Sequence, residues 1–148
     1  MVSCGNPASG REHGPDVQAR LATLAAATDA GAIDAYRTAM RTAYWDDKDV
    51  ASALAIADAG VSRVLAAAGG ADGAAAFDLR SAAKGLLYDV AAFTWVGWDE
   101  PDVAITSAEA AVGLDAARSN LAMAIDLDKG DLPLARAHWM LGAHLLTS

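Results

Sequence analysis

The residues of this chain whose types could do chemistry are three histidines, one cysteine and a few adjacent acids. His138 and His144 are six positions apart, which on one helix places them about 240° apart around the axis. They cannot chelate one metal together. His13 lies far from both, and no further ligand has the spacing of a zinc site, so neither a metal nor a cofactor is expected. Cys4 sits in a stretch rich in Gly, Pro, Ser and charge, where nothing holds a base beside it. Ser52, Ser62, Ser81, Ser107 and Ser119 fall in helical stretches without the strand-to-helix elbow that exposes a catalytic serine. Gly69-Gly70 and Gly73 lack the strand and lysine of a phosphate loop. Asp46-Asp47 and Asp99-Glu100 have the form of paired carboxylates. Acids before a helix N-terminus also stabilise its dipole, and that is the role expected of these four. No enzyme active site is expected. Trp95 and Trp98, three apart, can share a helix face, either as core or as an aromatic anchor for a bound chain.

Any positioning of these residues falls to helices. Apolar and small residues recur at three and four from Leu21 onward, and turn chemistry interrupts them at Thr28–Gly31, Asp46–Asp49, Gly69–Gly73, Gly97–Pro101 and Asp128–Asp131. The pattern predicts seven helices at about 16–28, 32–45, 50–68, 74–96, 101–113, 116–127 and 132–146. Strand alternation never persists outside Ala-rich runs, and Ala favours helix over strand. The fold class is all-α with antiparallel neighbours, and residues 1–15 form a disordered tail before one domain spanning 16–148.

Composition narrows the function. The 148 residues are 54% hydrophobic and 20% charged with a net charge of -8, enough for one packed core. The acidic balance argues against a nucleic-acid partner. No uncharged apolar run is long enough for a transmembrane helix, so no membrane partner is expected. The single cysteine rules out an internal disulfide and fits the cytoplasm. The alternative is an exported lipoprotein, because Ser3-Cys4-Gly5 looks like its cut end.

One spacing repeats. Gly130-Asp131 is followed by Ala135, Trp139, Gly142 and Leu145, at intervals of four, three and three after Ala135. The same spacing returns in Ala104, Ala108, Ala111 and Leu114, and weakly in Ala53, Ala57 and Gly60. Together with Gly85 and Tyr88, Leu114-Asp115 and Asn120-Leu121-Ala122, it resembles the tetratricopeptide repeat (TPR) family. Ala116 stands where that family closes a hairpin with Pro. Ala53, Ala104 and Ala135 are 51 and 31 apart, against about 34 in a regular array. The resemblance implies a right-handed superhelix with a lead helix at 16–28 and hairpins at about 32–68, 74–114 and 116–146. The alternative is an irregular helical bundle.

In TPR-like arrays the first helix of each hairpin lines a concave, peptide-binding groove. On this chain that implies Trp45 and Asp46 from the first hairpin, Leu86, Asp89 and Val90 from the second, and Met123, Asp126 and Leu127 from the third. With Trp98 these are the candidate partner-binding residues. Asp46, Asp89 and Asp126 would give an acidic stripe flanked by apolar side chains, suited to a basic segment of a protein or peptide. The Lys and Asn that clamp a C-terminal carboxylate in part of the family are missing. The leading function is therefore a protein- or peptide-binding scaffold. The alternative is a homo-oligomerisation or structural domain, with a homodimer as its partner state. A third class is a small-ligand binder or enzyme built in a helical bundle, whose mark would be a deep pocket containing a buried carboxylate of raised pKa.

Overall fold

The computed structural model describes residues 15–26 and 31–147. Cys4, His13 and the turn expected around Thr28 lie outside the described residues. Those described form six α-helices and no strand: α1 (Pro15–Ala26), α2 (Gly31–Trp45), α3 (Val50–Gly69), α4 (Gly73–Phe93), α5 (Ser107–Asp126) and α6 (Asp131–Thr147). A single turn of 3-10 helix, Val96–Trp98, follows α4.

Local chemistry sets the ends. The Asp49 carboxylate accepts the Ser52 amide at 3.0 Å and its hydroxyl at 2.6 Å, capping α3. Thr106 and Glu109 form a reciprocal capping box at the start of α5, with bonds of 2.7 and 3.2 Å. Each helix from α2 to α6 packs on the next, and α1 rests on α2 and α3. The even-numbered helices also touch, α2 with α4 and α4 with α6. Met40, Ile56 and Leu86 are fully buried at the centre of the core. Tyr44 stacks on Phe93 at 4.1 Å, and Trp45 meets both edge-on, tying α2 to the end of α4. By length and composition alone α3 could cross a membrane, although it carries Asp58 and Arg63 and its apolar residues pack against neighbouring helices.

Three expectations are corrected. The helices expected at 101–113 and 116–127 are one helix, α5, preceded by a loop that contains Pro101. Gly113 marks a close contact rather than a break: a methyl group there would run into Thr94 and lie 2.7 Å from His144 Cε1. The fourth helix stops at Phe93, so Trp95 and Trp98 stand in the following turn instead of on a helix face. Helices therefore number six, which shifts the pairing: the stretch 116–127 belongs to α5, and α6 is the third even-numbered helix.

Candidate functional site

A cavity of about 400 Å³ opens where α2, α4 and α6 meet. Five of the chain's 11 Lys and Arg line it: Arg37 and Arg41 from α2, Lys84 from α4, Lys129 from the α5–α6 loop and Arg136 from α6. Asp89 is the one acid in the lining, and Ser81, Gly85, Tyr88 and Pro133 complete it. The volume falls within the usual range of small-molecule sites.

Each cation is placed by the fold. Arg37 and Arg41 are one helical turn apart and share a face of α2. Both reach Asp89, at 3.4 and 3.8 Å. Gly85 gives Arg37 its room, since a methyl there would lie 2.5 Å from a terminal guanidinium nitrogen. Lys129 is held by a tight loop in which Asp128 and Gly130 adopt positive φ of 44° and 77°. Its ammonium donates to Ser81 Oγ at 3.1 Å and lies 4.8 Å from the Phe77 ring centre. Lys84 is only 8% exposed. On the same turn of α4, Asn120 of α5 donates from Nδ2 to the Lys84 carbonyl at 2.7 Å and pins that backbone. Asn120 Oδ1 is buried without a partner.

The charges are unequally satisfied. Burial raises the Asp89 carboxyl above its usual range, and the pull of Arg41 and Arg37 offsets this only in part. Burial also lowers the Lys84 ammonium, and the nearby positive charge of Lys129 adds to that. Among the described residues Lys84, Lys129 and Arg136 form no ion pair with a carboxylate. Lys84 is buried as a residue, Lys129 half-buried and Arg136 exposed, so the cost of desolvating a cation without a counter-ion falls mainly on Lys84. Such an arrangement can hold an anion.

The residues selected from sequence are dispersed. Leu86 and Val90 are core, and so is Leu127, because they face the helix neighbours rather than a groove. Asp89 lines the cavity but is occupied by two arginines. Asp126 is exposed on α5 and pairs with Arg80 at 3.3 Å. Asp46 is exposed beyond the end of α2, and Met123 is half-buried on α5. Neither Asp46 nor Asp126 lines the cavity, so no acidic stripe joins the three acids there. Trp45 is half-exposed against Tyr44 and Phe93.

Trp98 does belong to a cluster. It meets Trp95 edge-on at 4.9 Å, and Trp139 of α6 lies 5.4 Å from Trp95. Trp95 Nε1 donates to the Ala143 carbonyl at 3.2 Å, and Trp98 Nε1 donates to the Ala92 carbonyl at 2.8 Å. Trp98 and Trp139 remain 52% and 51% exposed. His144 is 3% exposed, and Nε2 donates to the Ala91 carbonyl at 2.8 Å, joining α6 to α4. His138 is exposed, and among the described residues no three His, Cys, Asp or Glu side chains are grouped to hold a metal.

The cations escaped the sequence reading although a signal existed. Arg41, Lys84 and Arg136 each lack an acid three or four positions away, so their own helices give them no counter-ion. Comparison of the chain with family models, curated proteins and solved structures finds no match in any of the three.

Proposed function

We propose that this protein is a helical binding module whose ligand is a small anion held between α2, α4 and α6. The observation that carries this reading is the gathering of five of 11 cations, three of them without a carboxylate, around one cavity of about 400 Å³ in a chain of net charge -8. Asp89, half-buried in the lining with its carboxyl raised by burial, supports the small-ligand class over the peptide groove. That class replaces the basic peptide in an acidic groove, because Asp89 and Asp126 are both engaged by arginines. Titration calorimetry with pyrophosphate as the probe, at low and high sodium chloride, tests it. Binding that weakens with salt, and that is lost in Arg136→Gln, is expected. Heat of binding unchanged by that substitution would remove the pocket from consideration.

A second reading, protein contact or self-association, draws on the half-exposed Trp98 and Trp139 beside Trp95. It predicts a mass in solution that rises with concentration and returns to monomer in Trp98→Ser. A monomer at all concentrations would leave only a hetero-partner for that surface.

A further inference from the structure

We infer that the anion is a small soluble molecule bearing a phosphate group, with that group seated against Lys84, Lys129 and Arg136. This rests on the anion-pocket reading and goes beyond it by naming the chemical class.

Three features of the cavity lead there. First, its free charge is multiple. Arg37 and Arg41 already share Asp89, whereas Lys84, Lys129 and Arg136 have no carboxylate among the described residues. Lys84 is the most telling, because it is more than nine-tenths buried and lines the cavity. Three uncompensated cations match a group of two or more negative charges. A phosphate monoester carries about -1.5 to -2 at neutral pH.

Second, the donors approach from different directions. Lys84 comes from the middle of α4, Lys129 from the loop before α6, and Arg136 from the second turn of α6. A planar carboxylate offers acceptors in one plane, whereas the tetrahedral oxygens of a phosphate accept from several sides. Two of the donors are lysines, which bind phosphate as point charges, and Arg136 supplies the planar fork.

Third, α6 brings its N-terminal end to the cavity. Lys129 and Pro133, both in the lining, bracket the start of α6 at Asp131. The positive end of the helix dipole therefore adds to the field of the side chains. Asp131, the acid of that first turn, is exposed and outside the lining. Tyr88 and Pro133 offer apolar surface on which the remainder of the molecule can lie.

The test is titration calorimetry of the whole protein with glycerol 3-phosphate, pyrophosphate and malonate at one ionic strength, in chloride buffer. Malonate matches the charge of a phosphate ester but presents planar carboxylates. The phosphate compounds are expected to bind at least about tenfold more tightly than malonate, and to lose at least about tenfold in Lys84→Met and in Arg136→Gln. Arg118→Gln, which is outside the lining and pairs with Asp115, serves as the control and should match the wild type. Malonate binding as tightly as glycerol 3-phosphate would overturn the phosphate class while leaving the anion pocket standing. No binding by any of the three anions would overturn both. Phosphate binding undiminished in both Lys84→Met and Arg136→Gln, with helical circular dichroism preserved, would place the site elsewhere and overturn the assignment.

Discussion

The cations of this protein live in two different settings. Away from the cavity, Arg20 reaches Asp47 at 2.7 Å, Arg118 reaches Asp115 at 3.0 Å, and Lys48 and Arg80 reach Glu100 and Asp126 at 3.3 Å. These are surface pairs that hold side chains in place and contribute little to stability. Five cations line the cavity beside one acid, Asp89, which pairs with Arg37 and Arg41, and the most deeply buried of the five, Lys84, has no carboxylate partner among the described residues. With 19 acids in the chain, countercharge was not scarce. The contrast marks the cavity as the place where the fold tolerates uncompensated charge, a condition that a bound anion would relieve.

The strongest way to break the comparison is Lys84→Met. Met keeps the length and apolar stem but removes the buried charge. Anion binding should fall by at least about tenfold, while the unliganded protein should gain up to about 1 kcal/mol in urea denaturation, because the ammonium keeps some contact with solvent. A change that improves stability and removes binding is characteristic of a residue retained for its ligand. A loss of stability would mean that Lys84 has a structural role.

Asp89→Asn should act next most strongly, and in the opposite sense on binding. It leaves Arg37 and Arg41 free to face the cavity, so the probe anion should bind roughly threefold to tenfold more tightly. Stability should move by about 1 kcal/mol or less, because relief of carboxylate desolvation opposes loss of the arginine contacts. Calorimetry and denaturation on the same variant separate the two effects.

Acidity gives a third check. Asp89 is raised when folded, so the folded state holds more protons than the unfolded one just above the ordinary carboxylate range. Its contribution to stability must fall as pH rises through that interval. Lys84 is lowered when folded, so the unfolded state holds more protons between the folded value and 10.5. Its contribution must therefore rise with pH in that alkaline window. Urea denaturation at several alkaline pH values should show that rise in the wild type and its loss in Lys84→Met. The smallest effect should come from Arg118→Ala, which breaks an exposed pair and should change stability by about 0.5 kcal/mol or less with no change in binding.

Much of the fold was legible because local signals and packing agreed. Helix α3, with its Asp49 cap and Gly69-Gly70 end, follows from short-range chemistry, and the structure puts it at Val50–Gly69. Helix α5 was misread because Gly113 has two meanings. In sequence it is a breaker, but here it gives Thr94 and His144 space against a continuous helix. The capping box from Thr106 to Glu109 was the sign that the helix starts after the Pro101 loop. That one error set the first helix of the expected third hairpin at residues 116–127, inside α5. It put Met123 and Asp126 forward and left Arg136 and Lys129 out. The candidate site was less legible still. Its cations are 4 to 99 positions apart in the chain, spanning Arg37 to Arg136, and only the docking of α2, α4 and α6 unites them.

The most direct measurement is the thermal midpoint of the wild type and of Lys84→Met, each in sodium phosphate and in sodium chloride at matched ionic strength. If the cavity holds uncompensated charge for an anion, phosphate raises the wild-type midpoint by several degrees. Lys84→Met then starts higher than the wild type in chloride and gains little from phosphate. A variant that melts below the wild type in chloride, or gains as much from phosphate as the wild type does, would contradict the account.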